Sequence, residues 1–245
     1  MKKVICTATA GILALSLCAG CTTDSAEDGL TPVRLNEVVH SVFYAPQYVA
    51  LEKGFFAEEG LEVSVAVGNG ADKSMTALLS NAADVALLGT EAGLYVYNEG
   101  KEDYPKAFLQ LTQRAGNFLV SREDEPDFEW EDLKGKSVIG GRLGGMPELV
   151  LEYVLKENDL KIGEDVEIIN NIDFSSTAGA FTGDVGDYTV EFEPVATTLE
   201  QSGNGYIVAS LGQLNSKYAH FHILYTSISY CFILHYFLVI TSPLK

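Results

Sequence analysis

Residues 40–63 read HSVFYAPQYVALEKGFFAEEGLEV. The stretch holds a strand end, a helix from about Pro46, stops at Gly54 and Gly60, and the start of a new strand. Before it, VRLNEVV (33–39) is a β-rich run. After it, LEVSVAV (61–67) alternates at period two. Strand, helix and strand in that order form a βαβ unit, which implies a parallel sheet. His40, Ser41, Phe43 and Tyr44 fall where the first strand hands over to its helix. Open α/β sheets hold their ligands at that end of their strands.

The alternation continues downstream. ADKSMTALLSNAA is helical, with Asp72 as its N-cap, and DVALLG (84–89) is a short apolar run of the kind a buried parallel strand needs. EAGLYVYNEG is a further helix, followed by KAFLQLTQ. The pattern then restarts. NFLVSRE (117–123) is a strand, WEDLKG a short helix and KSVIGG a strand. GMPELVLEYVLKENDL is an amphipathic helix with Pro147 in its first turn. DVEIINNI and DYTVEFEP are strands flanking SSTAGAFTGDV, PVATTLEQSGNG is a helix closed by Gly203 or Gly205, and YIVASLG is a last strand. Two α/β lobes follow, at about 33–115 and 116–212, with the chain crossing between them near LTQRAGNF.

Both ends differ from this body. The chain opens MKKVICTATAGILALSLCAGC, with Lys2 and Lys3 ahead of a short apolar run and small residues before Cys21. This is an export signal over 1–20, too short in its apolar core to read first as a membrane span. LCAGC resembles a bacterial lipoprotein signal, in which Cys21 would be lipidated and 21–32 would tether the domain to the outer face of the cytoplasmic membrane. Cys18 stands where Leu is usual, and an ordinary cleaved signal is the alternative. The far end, 213–245, holds none of the chain's 34 acidic residues, and no clean helical or strand period. A terminal membrane helix over 223–240 is one reading. Translation in a shifted frame after about Gly212 is the other, and the composition favours it.

The formal charge of −18 argues against nucleic acid, which demands basic patches, and against a polybasic membrane-surface domain. The four cysteines are Cys6, Cys18, Cys21 and Cys231, and none stands in a zinc-type cluster. No cofactor and no metal is called for. There is no Gly-x-Ser-x-Gly elbow, no His-Glu-x-x-His, and His40 is the only His before the tail, so the chain reads as a binder rather than an enzyme.

Four stretches together carry a resemblance: YAPQYVALEKGFFAEEGLEV, MTALLSNAADVALLGTEAGL, EDLKGKSVIGGRLGGMPELVLEYVLKENDL and AGAFTGDVGDYTVEFEP. In this order they resemble substrate-binding proteins of ABC importers, in the group of receptors for thiamine-pyrimidine precursors, nitrate, sulfonates and taurine. The resemblance covers about 33–212. It implies a two-lobed, type II periplasmic-binding-protein-like fold, a small organic ligand and an ABC permease as partner. It also implies a C-terminal segment that returns to the first lobe and adds a strand. The odd tail stands in its place, so the first lobe is expected to be incomplete and the chain truncated or frameshifted. Some relatives of the group make a pyrimidine precursor as enzymes consumed in the reaction. They are intracellular, whereas this chain carries an export signal.

The expected cleft gathers Ser41, Phe43 and Tyr44 after the first strand, and Gly89, Thr90 and Glu91 after the third. An aromatic there can stack on a flat ligand while a hydroxyl orients it. The competing reading makes Phe43 core, Tyr44 a helix staple and Thr90 an N-cap. From the second lobe come Arg142, Gly144 and Gly145 in GGRLGGMPE, and Tyr188 and Glu191 on the last cleft strand. Asp187 lies beside that strand, and Glu193, before Pro194, reads as structural. Acidic residues around the site disfavour a dianion and suit a heteroaromatic, amine-bearing ligand such as a thiamine-precursor-like pyrimidine. An organic sulfonate held by Arg142 and the helix N-termini is the alternative. A surface interaction module is a third class, which the cleft motifs oppose.

Overall fold

The computed structural model describes residues 29–100, 102–213 and 222–226. The expected export signal, Cys21 and most of the expected tether and tail lie outside the described residues.

The first lobe is built on β1 (Thr31–Glu37), β2 (Leu61–Val67), β3 (Val85–Gly89) and β4 (Lys106–Gln110). A 3₁₀ turn (Val42–Tyr44), α1 (Ala45–Glu52) and α2 (Phe55–Glu58) link β1 to β2, α3 (Ala71–Leu79) links β2 to β3, and α4 (Thr90–Asn98) follows β3. β3 is buried along its whole length, as a central strand covered on both faces must be. Val33, Leu35, Leu78, Leu87, Leu88 and Tyr44 form the fully buried centre of this lobe.

The second lobe repeats the plan. It carries β5 (Asn117–Ser121), β6 (Lys136–Ile139), β7 (Val166–Ile169), β8 (Tyr188–Phe192) and β9 (Tyr206–Ser210). Its helices are a 3₁₀ turn (Trp130–Leu133), α5 (Met146–Glu157), α6 (Thr177–Thr182) and α7 (Val195–Gln201). Two apolar clusters form its core, one with Leu119, Val138, Leu151 and Leu155, the other with Val120, Ile139 and Phe181.

The tail supplies one more strand. His222–Thr226, β10, lies between β3 and β4 and runs antiparallel to both. The sheet orders are therefore β2-β1-β3-β10-β4 and β7-β6-β8-β5-β9. In each sheet the antiparallel member comes directly from the other lobe. β5 enters the second sheet after the crossing at 111–116, and β10 enters the first after the crossing beyond β9. Sequence pattern alone gives 213–245 no strand and leaves the first sheet with an open edge. The structure instead seats five of these residues in the slot a returning strand requires. Paired on both sides, β10 covers the edges of β3 and β4 that would otherwise be bare.

The crossings touch each other. A Cβ on Gly212 would lie 2.1 Å from the Ala115 carbonyl oxygen, and one on Gly116 would lie 2.7 Å from the Phe43 ring. Leu211 N–H also donates to Asn117 O at 3.1 Å. The two strands of the hinge thus approach backbone to backbone, a spacing that only glycine permits here.

Candidate ligand-binding site

The carboxyl ends of β1 and β3 face those of β6 and β8 across a cleft. Between them lies a cavity of about 260 Å³, with walls from both lobes. Val38, Met75, Ala92 and Val96 come from the first lobe, and Phe174, Phe192 and Met146 from the second. Phe174 and Phe192 meet edge to face at 5.7 Å. Phe174 also packs against the first-lobe core, so one aromatic side chain bridges the lobes.

Polar contacts tie the lobes together around the mouth. Arg142 donates from Nε and Nη2 to Asp72 at 2.9 and 2.5 Å, and from Nη1 to Asp173 at 2.5 Å. Asp173 accepts in turn from Lys73 at 2.7 Å. Two charges from α3 thus flank two from the second lobe, and the sign alternates along the row. The carboxylates raise the Arg142 guanidinium above its usual range, with the Asp72 hydrogen bond as the largest cause. Tyr95 hydroxyl donates to Gly144 O at 3.1 Å, and Ser41 hydroxyl donates to the Glu193 carbonyl.

Local chemistry sets these positions. Ser41 caps the 3₁₀ turn by accepting from Phe43 N–H at 3.2 Å, so its hydroxyl sits at the cleft edge. Gly145 is the N-cap of α5, with Pro147 in the first turn. Glu148, buried beneath this loop, accepts from Gly144 N–H and from Asn170 at 2.6 Å. The loop carrying Arg142 is therefore fixed from below.

Of the residues expected in the cleft, Gly89, Glu91, Arg142, Gly144 and Gly145 line the cavity. Gly89, not Thr90, is the N-cap of α4, and Thr90 is its first helical residue. Gly70, not Asp72, caps α3, because the Asp72 carboxylate is drawn across the cleft to Arg142. Ser41 is buried at the lobe junction. Tyr44 is fully buried in the first-lobe core, where burial and then the charge of Glu37 hold its hydroxyl well above the usual range. Phe43 packs on the same core and against Gly116 at the hinge.

Like Ser41, Phe43, Tyr44 and Thr90, the expected Tyr188 and Glu191 lie outside the cavity lining. Tyr188 is not in the cavity. It begins β8 at the far end of the strand, packs in the second-lobe core, and donates to Glu125 at 2.9 Å. Glu191 is buried beneath the site, where it accepts from Thr177 at 3.0 Å and Thr189 at 2.7 Å. Burial pushes its carboxyl up to about 7 against the pull of those two hydroxyls. Asp187 and Glu193 are occupied locally, with Ser137 and with Thr197. His40 pairs with the buried Glu37 at 2.8 Å and is structural.

Glu91 is 6% exposed. Burial pushes its carboxyl up to about 7. The backbone amides of Glu91 and Met146 draw this back in part. A Cβ on Gly89 would meet the carboxylate at 2.0 Å, so that glycine lets Glu91 fold back over the strand end. Sequence pattern missed Asp173, Lys73, Phe174 and Tyr95. Each acts through a partner in the other lobe, and no local motif marks that.

The family model described as NMT1/THI5 like matches residues 42–230. The YtlA protein of Bacillus subtilis (strain 168) is 51% identical over 187 residues, which cover 76% of this chain and 56% of that protein. This chain thus spans little more than half the length of that relative. Among solved structures, the periplasmic nitrate-binding protein NrtA from Synechocystis PCC 6803 superposes with a TM-score of 0.68 at 19% identity, over 80% of this chain and 56% of that one. The periplasmic aliphatic sulphonate binding protein SsuA from Escherichia coli gives 0.64 at 14% identity, over 85% and 69%. At such identities they fix the fold, a two-lobed type II periplasmic-binding-protein architecture. With that fold, and with a family match running from residue 42 to 230 of 245, this chain belongs to the NMT1/THI5-like family.

Proposed function

We propose that this chain is the substrate-binding protein of an ABC importer. It is exported, lipid-anchored through Cys21 to the outer face of the membrane, and delivers a small organic ligand to a permease. The observation that carries the reading is the cavity between two lobes joined at a thin hinge and clasped by Arg142, Asp72, Asp173 and Lys73. Such a frame captures a ligand by hinge closure, and the closed form is what a permease recognises. The site holds no nucleophile–base pair facing the cavity among the described residues, which supports binding over catalysis.

Within this function, a thiamine-precursor-like pyrimidine or similar heteroaromatic fits better than a sulfonate or nitrate. Phe174, Phe192 and Met75 offer apolar faces, and Arg142, the residue an anion would use, is already held by two carboxylates. Isothermal titration of the purified chain with an aminopyrimidine and with an alkanesulfonate tests this. Aminopyrimidine binding at one site per chain is the expected result. Sulfonate binding without pyrimidine binding would overturn the ligand class.

A further inference from the structure

The ring of Phe174 stands beside both second-lobe members of the rim row. Asp173 precedes it in the chain, and a Cβ on Gly141, one residue before Arg142, would lie 2.9 Å from its Cε1 atom. The two stretches are joined through their main chains. Gly140 N–H donates to Ile169 O and Leu143 N–H to Asn170 O, each at 2.9 Å. Gly141 takes φ +95° and, with no Cβ, lets the ring settle against the chain there. The Thr177 hydroxyl, 3.1 Å from the Phe174 carbonyl and 3.0 Å from the buried Glu191, fixes the main chain from behind. From this unit the ring packs against the first-lobe core, and Val38, Ala71 and Met75 of that lobe line the same cavity. The two kinds of contact between the lobes differ in strength. The side chains of Asp72, Lys73 and Asp173 are 54, 44 and 37% exposed, so water and salt weaken their attraction. Burial of an aromatic face is worth more than an exposed ion pair and is not screened.

We propose that Phe174 is a positioning residue for closure: a ring that the second lobe seats in the first, which holds the lobes together more strongly than the ion row outside it and brings Asp173 and Arg142 into register with Asp72 and Lys73. The proposal rests on the receptor reading above and names how its closure is held. Opening the cleft withdraws the ring from the first-lobe core, because Phe174, Phe192 and Gly141 all move with the second lobe. The ring also lines the cavity, so a ligand enclosed there adds contact to the same side chain. Closure and occupancy are thereby coupled through one residue, while the partly exposed charges at the rim orient the lobes.

Small-angle scattering of the free full chain tests this, on wild type, Phe174→Ala, Phe174→Leu and Asp173→Asn. Phe174→Ala is expected to raise the radius of gyration more than Asp173→Asn does. Phe174→Leu refills the seat with apolar atoms and is expected to stay nearer wild type than Phe174→Ala. A Phe174→Ala radius equal to that of wild type overturns the proposal. So does an opening in Asp173→Asn as large as that in Phe174→Ala, which assigns closure to the ion row. A Phe174→Leu chain as open as Phe174→Ala overturns it too. Wild type in about 1 M sodium chloride covers the case in which Phe174→Ala does not fold. With the rim charges screened, the closed form must remain the larger fraction, and an open majority overturns the proposal. These measurements use no ligand, so they judge the seat alone. Failure of both the aminopyrimidine and the alkanesulfonate to bind in the titration above would count against the receptor reading instead.

Discussion

Arg142 and Asp72 stand on opposite walls of the cleft, 70 residues apart, and meet through two hydrogen bonds of 2.9 and 2.5 Å. The bidentate geometry fixes the angle between the walls as well as their separation. Asp173 and Lys73 extend the contact into a chain of alternating charge. The lobes are thus held together by side chains at the rim, while the Glu91 carboxylate lies buried behind them.

Breaking that clasp should favour the open form. Arg142→Ala is expected to raise the radius of gyration in small-angle scattering. It should weaken aminopyrimidine binding about tenfold, because apparent affinity scales with the closed fraction. Asp72 is half exposed, so added salt should act in the same direction on wild type. Unchanged scattering in Arg142→Ala would show that the clasp does not set the closure.

The hinge predicts an ordered pair of effects. Gly212→Ala drives a Cβ into the Ala115 carbonyl at 2.1 Å, and main chain cannot step aside. Gly116→Ala meets only the Phe43 ring, at 2.7 Å, which has a rotamer to change. Urea unfolding should show a loss of roughly 2–3 kcal/mol for Gly212→Ala and a smaller one for Gly116→Ala.

Two buried carboxyls give the chain a pH dependence of defined sign. Glu91 and Glu191 both titrate near 7 when folded, against 4.5 ordinarily. The unfolded chain therefore releases these protons first, and stability falls as pH rises from about 4.5 through about 7. Each group contributes on the order of 3 kcal/mol to that fall. Glu91→Gln should remove about half of it and raise the melting temperature of the free protein at about pH 8. A lowered melting temperature there would mark Glu91 as a structural residue. Asp187, held down chiefly by the Ser137 amide, acts in the opposite direction but only below the ordinary carboxylate range.

Tyr188→Phe separates core from site. It removes the hydroxyl that Glu125 accepts from at 2.9 Å and should cost about 1–2 kcal/mol of stability. Aminopyrimidine affinity should not change, since the residue lies outside the cavity lining. A shift in affinity of about tenfold would place Tyr188 at the site after all.

Much of the frame was legible from pattern. β2 falls on the alternating run LEVSVAV, and β3 on the apolar run ending at Gly89, because each strand's burial follows its own residues. The crossing near 111–116 was also visible, where one βαβ series ends and the next begins. Failures came where a distant partner decided the outcome. Asp72 looks like a cap, yet its carboxylate is claimed by Arg142. Tyr188 looks like a cleft aromatic, yet the direction of β8 places it at the buried end. His222–Thr226 has no period of its own, and its strand conformation comes from the bonding partners on both sides. Glu91 stands in the first turn after β3 as the pattern expects, but its deep burial is not visible in any local pattern.

Hydrogen exchange with and without a saturating aminopyrimidine tests the central claim most directly. A ligand enclosed between the lobes should slow exchange at Glu91–Val96 and at Arg142–Met146 together, with little change at the hinge-distal strand β7. Protection confined to one lobe, or centred on a surface away from these two segments, would contradict the account.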